Sequence, residues 1–285
     1  MQFKAMTILH KGETFHLPFI VHEATSANLY SLFDYAAACR LCEQENYQPI
    51  IINTPEGEKK AAGVVAALDY KKTSVCSYHE WSLGVFVCPG DQEAPEVDFV
   101  NDTSLFFQSM LDSDLIGNIV FCPKLVLDEA LPTEIGFEYY GFPKELGVVE
   151  YDYSQQISNF SVMAKGGPWI MKASFPTRRS AFGKFALLGA LFKAYGFRPV
   201  LQSMGKKEFF VTLAGSAKIL AKNAYMKIKN DPKTEMYSWR NRDCKIEFNP
   251  ESKWGKILQE LKLQPKLVCH VPNLEFKFSE PVNQK

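Results

Sequence analysis

The sequence predicts a mainly β protein: one antiparallel sheet system closed into a barrel or cone, with a few helices packed outside it. Many short segments read as strands and few as helices, and the two do not alternate in the βαβ order that builds a parallel sheet. No Pro/Gly/Ser-rich linker, internal repeat or low-complexity stretch divides the chain, so residues 1–285 are expected to form a single domain.

Taken in order, a first helix is expected within residues 25–45, "TSANLYSLFDYAAACRLCEQE", with Thr25 or Ser26 as N-cap and an end near Asn46. Strands follow in "YQPIIIN", "AAGVVAALDY", "SYHEWSLGVFVC", "GNIVFCPKLVL", "FEYYGFPKELGVVEYDY", "NFSVMAKGG" and "PWIMKASF". A second helix is expected over 180–197, where Ser180 can cap the start and Gly196 the end, and its nearly all-round apolar character predicts burial. Further strands are read in "EFFVTLAGSAKI", "CKIEFNP" and "PKLVCHVPNLEFKFS". A third helix over 251–263 places Trp254, Ile257, Leu258 and Leu261 on one face.

Composition narrows the function classes. Lys plus Arg and Asp plus Glu number 32 each, so no long-range field favours nucleic acid, an anionic membrane or an acidic partner, and a small-molecule substrate is expected. Lys4, His10, Lys11 and Glu13 interrupt the N-terminal apolar residues, which argues against a secretory signal. The apolar run Phe185 to Phe192 is far short of the roughly 20 residues that span a bilayer, so no transmembrane helix is expected. Seven scattered cysteines do not suggest a disulfide framework and point to a reducing cytoplasm. Cys39 and Cys42 form a C-x-x-C without a second ligand pair and read as packing groups on a helix. The five histidines, His10, His16, His22, His79 and His270, show no metal-binding spacing, so neither a metal nor another cofactor is assigned.

The stretch "EIGFEYYGFPKELGVVEYD" sets a lysine directly after a proline among aromatic and apolar residues. Pro143 fixes its own φ and pushes Phe142 to an extended conformation, so the backbone before Lys144 is stiff enough to aim a side chain. In extended geometry Glu138, Tyr140, Phe142 and Lys144 would share one face, with Gly141 and Pro143 bending the strand. Most lysines keep the amine in water, and by composition alone Lys144 would be one of them.

The pattern E-x-x-x-[FY]-P-K-x-L-G, present as Glu138, Phe142, Pro143, Lys144, Leu146 and Gly147, resembles the active-site segment of the acetoacetate decarboxylase superfamily. Upstream, "YKKTSVCSYHEWSLGVFV" is similar to the family segment that ends in a glutamate near the lysine, which matches Glu80; "WGKILQELKLQPKLVCHVPNLEF" is similar to its terminal pattern. The resemblance runs loosely from about residue 28 to the C-terminus and implies a single β-barrel or cone of that type, a homo-oligomer, and a Schiff base on Lys144. Glu80 is then the candidate for proton transfer or for holding substrate, and Phe142 and Glu138 are the candidate substrate-binding positions. That chemistry suits a keto acid, because a protonated imine accepts the electrons left behind by CO₂ far better than a ketone does. The amine must be neutral to attack, which desolvation or a neighbouring cation favours.

The sequence also departs from the family. A second lysine follows the Schiff-base lysine in acetoacetate decarboxylases proper, whereas Glu145 stands here and, by strand alternation, is expected to face away from Lys144. The first arginine is Arg40, none occurs between it and Arg178, and the family's further acidic position falls in the uncharged "AAGVVAAL" of residues 61–68. Arg178 and Arg179, before the second expected helix, are the best substitutes for the family's carboxylate-binding arginine. The resemblance thus implies a carboxy-lyase acting on a small keto acid. An imine-dependent aldolase or dehydratase, or a non-catalytic barrel binding an apolar ligand, stands as the alternative.

Overall fold

The computed structural model describes residues 3–99, 119–154, 157–176, 208–229, 237–239 and 244–283. A hairpin of β1 (Met6–His10) and β2 (Glu13–Leu17) precedes the long β3 (Phe19–Asp34). Next come α1 (Tyr35–Cys42), β4 (Tyr47–Pro49), β5 (Ile51–Asn53), β6 (Lys59–Thr73), β7 (Tyr78–Pro89), β8 (Glu96–Asp98) and β9 (Ile119–Leu127). Helix α2 (Ala130–Tyr140) leads into β10 (Lys144–Tyr153), followed by β11 (Ile157–Ala164), β12 (Trp169–Pro176), β13 (Glu208–Ala214) and β14 (Lys222–Lys229). The chain closes with β15 (Tyr237–Trp239), β16 (Lys245–Phe248), α3 (Lys253–Glu260), β17 (Gln264–Phe278) and β18 (Val282–Asn283).

Seven strands form a closed barrel in the order β9, β13, β14, β17, β3, β6, β7 and back to β9. Closure leaves no free edge along the ring, which protects strands as apolar as β6 and β7 from pairing elsewhere. Every contact in the ring is antiparallel except that of β9 with β13. β9 is the branch point. One of its edges pairs with β7 along its length, while the other holds β13 at Ile119–Phe121 and β10 at Leu125–Leu127. From β10 a second sheet continues through β11 and β12 to β16.

Two cores result. Inside the barrel pack Val21, Tyr70, Tyr78, Leu125, Leu127 and Phe276; between the barrel wall and the second sheet, Val65, Trp81, Leu83 and Val126 meet Val149, Phe160, Val162 and Ile170. Strands covered on both faces need apolar residues at consecutive positions, which explains runs such as "GVVAAL" in β6.

The first expected helix is overturned for residues 25–34, which are strand. They pair with β6 on one edge and β17 on the other and bury Ala27, Leu29, Leu32 and Phe33, so a two-sided ladder overrides the local helical spacing. The cap is accordingly not Thr25 or Ser26 but Asp34, whose carboxylate accepts from Ala37 N at 3.1 Å. That hydrogen bond holds the Asp34 carboxyl below its ordinary range. The segment ends near Asn46, at φ 58° after a 3₁₀ turn over Glu43–Glu45, as expected. The third expected helix is α3, capped by Ser252 Oγ accepting from Gly255 N at 3.3 Å. The helix expected over 180–197 lies outside the described residues.

α2 is the larger correction, since its aromatic residues read as strand. Gly141, at φ 68°, ends the helix, and its N–H reaches back to the carbonyls of Gly136 and Phe137. Cys42 of α1 is buried and Cys39 half-buried, both as free thiols. Burial pushes the Cys42 thiol far up, the opposite of what a redox or metal-binding thiol requires.

Candidate active site

The register of β10 places the lysine. Lys144 lies opposite Leu125, Glu145 opposite Val126 and Leu146 opposite Leu127, while on the other edge of β9 Leu125 faces Ser82 and Leu127 faces Glu80. Side chains alternate across a sheet, so Lys144, Leu125, Leu127 and Glu80 project to one side and Glu145, Val126 and Trp81 to the other. Glu145 accordingly pairs with Lys124 on the outer face, where Lys124 also lies 5.6 Å from the Trp254 ring centre. Burial pushes the Lys124 ammonium down, against the pull of Glu145.

On the inner side Lys144 Nζ donates to Glu80 Oε2 at 2.9 Å, and the two side chains are only 10% and 9% exposed. The other Glu80 oxygen accepts from the Tyr70 hydroxyl at 3.4 Å. Tyr70 stacks on Tyr78 with ring centres 4.2 Å apart. Burial first, and the Glu80 charge second, push both phenols well above their ordinary range, so Tyr70 serves as a neutral donor. Cys122, near the pair, is pushed up to about 12 by burial and by Glu80, against the pull of Lys144, and stays a thiol.

The ion pair opens on a cavity of about 60 Å³. Phe19, Tyr78, Glu80, Leu125, Leu213 and Phe278 line it from five strands of the ring, which places it within one end of the barrel. α2 adds Pro132, Ile135, Gly136 and Tyr140, and the β1–β2 hairpin adds Ile8, Phe15, His16 and Leu17.

Local chain geometry explains how the lysine reaches this cavity. Phe142 is buried, stacks on Tyr140 with ring centres 5.7 Å apart, and donates its N–H to Gly136 O at 3.1 Å. Lys144 N donates to Phe142 O at 2.7 Å, closing a three-residue turn around Pro143. The side chain then lies against α2 at Gly136. A Cβ there would stand 2.4 Å from Lys144 Cδ, 2.6 Å from Cε and 3.2 Å from Nζ, so only glycine leaves this path open.

Lys144, Glu80 and Phe142 therefore meet at one cavity, but Glu138 does not join them. It sits on α2, not on a strand face shared with Lys144, and its exposed carboxylate lies 3.3 Å from His10 Nδ1. There it helps clasp the hairpin, together with Glu134, which holds His10 Nε2 at 3.0 Å and Lys11 Nζ at 2.6 Å. Tyr139 adds a hydrogen bond to Leu9 O at 2.9 Å. Gly136, Tyr70, Tyr78 and the hairpin wall were missed by sequence reasoning. A signal for Tyr78 existed, since it lies two residues before Glu80 on the same strand and so faces the same side. Arg178 and Arg179 lie outside the described residues. Among the described residues no group of three or more His, Cys, Asp or Glu side chains could hold a metal ion, and no helix is long and apolar enough to cross a membrane.

His79 faces away from Glu80 and ties β7 to Asp128, the residue that follows β9. Its Nδ1 lies 2.6 Å from Asp128 Oδ2, and its backbone N–H donates to Asp128 Oδ1 at 2.7 Å. The Asp128 hydrogen bond raises the imidazole above its ordinary value, against partial burial. A raised histidine stabilises the fold fully below the unfolded value, about 6.5, and loses that contribution as pH climbs through the folded one. The difference in Tm between wild type and His79→Gln should therefore be largest near pH 5.5 and shrink by pH 9. A difference that grows with pH would contradict a protonated His79.

No protein-family model matches the chain, and no curated protein sequence matches it. Solved structures do resemble it. An acetoacetate decarboxylase from Legionella pneumophila superposes with a TM-score of 0.54 at 13% identity, covering 93% of this chain and 87% of its own. A second acetoacetate decarboxylase structure gives 0.54 at 10% identity, covering 93% and 87%. The enduracididine biosynthesis enzyme MppR, complexed with pyruvate, gives 0.52 at 13% identity, covering 93% and 88%. With its closed seven-stranded barrel branching at β9, the chain has the fold of acetoacetate decarboxylase and its structural relatives.

Proposed function

We propose that the protein is a lysine-dependent carboxy-lyase that forms an imine between Lys144 and a small keto acid. The observation that carries this reading is the 2.9 Å contact of Lys144 with Glu80 inside an apolar cavity. Moving one proton from Nζ to Glu80 converts the ion pair to an amine and a carboxylic acid, both less costly than charges in such surroundings. The amine attacks the substrate carbonyl carbon. Glu80 returns its proton to the carbinolamine oxygen, and water leaves. In a β-keto acid the carboxylate lies one carbon beyond the imine, so when the C–C bond to it breaks the electrons pass to the protonated imine and CO₂ departs. The resulting enamine takes a proton at carbon, delivered by Glu80 after the carboxylate has picked one up from solvent, and water releases the ketone and the free lysine. Tyr70 holds Glu80 throughout, and Phe142 contributes cavity wall. The pyruvate found in MppR supports a small ligand that carries both a carbonyl and a carboxylate. The resemblance and the cysteine usage carry the rest of the reading: one domain, assembled as a homo-oligomer in a reducing cytoplasm.

The almost wholly apolar lining favours a second reading, a barrel that binds a small apolar molecule without chemistry. Borohydride separates the two. Reduction of a transient imine leaves a stable secondary amine, so incubation with keto acids and borohydride should add the substrate mass at Lys144, located by peptide mapping. Glu80→Gln should still permit some trapping while slowing turnover by about 10²–10⁴-fold, the usual worth of a positioned acid or base. If no keto acid yields an adduct while the protein remains folded, the binding barrel is the better account.

A further inference from the structure

Resting on the imine reading, we propose that the preferred substrate is a keto acid with a hydrocarbon tail, not one of acetoacetate size, and that the β1–β2 hairpin sets the length of that tail. Beyond the ion pair the cavity walls are mostly hydrocarbon, with Ile8, Phe15 and Leu17 of the hairpin, Phe19 and Phe278 of the barrel, and Leu213; the polar side chains His16 and Tyr78 also reach it, His16 with its Nδ1 3.3 Å from Thr7 Oγ1. The tyrosine hydroxyls at and next to the site have partners within the protein: Tyr140 donates to Ser279 O at 2.8 Å, Tyr78 is hydrogen-bonded to Tyr70, and Tyr70 donates to Glu80. With Pro132 and Ile135 of α2 those hydrocarbon side chains bound the cavity of about 60 Å³, so a group extending from the reacting carbonyl meets hydrocarbon walls.

The hairpin wall is built into the fold. Ile8 and Phe15 are cross-strand partners, and Ile8 and Leu17 are buried. His10, next on the same face as Ile8, is 4% exposed and held between Glu134 and Glu138 of α2. Lys11 reinforces that clasp through Glu134.

The tail also has a chemical use. A substrate carboxylate bound for imine formation must lie close to Lys144, and hence to the buried carboxylate of Glu80. Breaking the C–C bond replaces that substrate charge with neutral CO₂ and a neutral enamine, which removes the repulsion. Something remote must hold the acid there until the bond breaks, and burial of a tail against the hairpin supplies that attraction.

The test is a series of 3-oxo acids (acetoacetate, 3-oxohexanoate, 3-oxooctanoate and benzoylacetate), read by CO₂ release and by borohydride labelling of Lys144. The expected kcat/KM rises about fourfold per added methylene, the equivalent of about 0.8 kcal/mol each, until the cavity is full. Phe15→Ala should move the optimum to a longer tail and Phe15→Trp to a shorter one. Equal turnover of acetoacetate and its longer homologues, with Lys144 labelled by all, would overturn the tail proposal and leave the imine reading intact. A chain-length optimum that neither Phe15 variant moves would overturn the role of the hairpin. Failure of the whole series to label Lys144 in folded protein would instead remove the imine reading itself.

Discussion

Lys144→Met should abolish borohydride labelling and destabilise the protein by about 3–5 kcal/mol, the usual cost of removing one partner from a buried ion pair. The magnitude follows from what remains. Glu80 would keep a charge at a side chain only 9% exposed, with the Tyr70 hydroxyl at 3.4 Å as its remaining polar partner. Removing both charges is a different experiment, because no unpaired charge is then left buried. The double variant Lys144→Met, Glu80→Gln should recover most of the loss, and urea unfolding of the two single variants and the double variant forms a closed cycle. A cost below about 1 kcal/mol at pH 8 would place the pair among exposed salt bridges, and the enclosed site would be wrong.

Gly136→Ala should leave the protein folded yet reduce the rate of Lys144 labelling by about 10²-fold. The added methyl would overlap Lys144 Cδ and Cε, at 2.4 and 2.6 Å, while Nζ is 3.2 Å away. The lysine chain has to leave its path along α2, and a displacement of about 1 Å at a reacting atom is enough for a loss of that size. Stability is pulled both ways, since crowding costs about 1–3 kcal/mol and alanine in a helix interior regains about 1 kcal/mol over glycine. The informative comparison is therefore labelling rate against Tm. A variant that labels Lys144 at the wild-type rate would show that the lysine does not need the groove over Gly136.

The site was legible from sequence only in part, and the reason is local. Lys144 and Phe142 lie within one short motif, and the glutamate preceding β10 belongs to the same motif, so all three were found together. Yet Glu138 was assigned a face it does not have, because alternation was applied to residues that wind into α2. The aromatic residues of "FEYY" suit a strand surface as well as a helix packed on a barrel end, and local spacing does not separate the two. Gly136 escaped notice for a different reason. Its importance is the volume a missing Cβ leaves to a lysine eight positions later, which exists only once the helix turns back over the strand.

The sequence by itself determined that the chain is a β protein without a parallel α/β core, because alternation, turn residues and apolar runs are local properties. It also placed the chemically unusual lysine after Pro143 and, through alternation, turned Glu145 away from it. Tertiary structure decided the rest. Residues 25–34 have helical spacing but become strand because β6 and β17 offer hydrogen-bond partners on both edges. Lys144 and Glu80 are 64 positions apart, and they meet because β9 pairs with β7 on one edge and β10 on the other. The cavity likewise needs walls from both ends of the chain, the hairpin at residues 6–17 and Phe278 of β17. Such contacts depend on register and ring closure, which are set by long-range pairing; no window of sequence contains them.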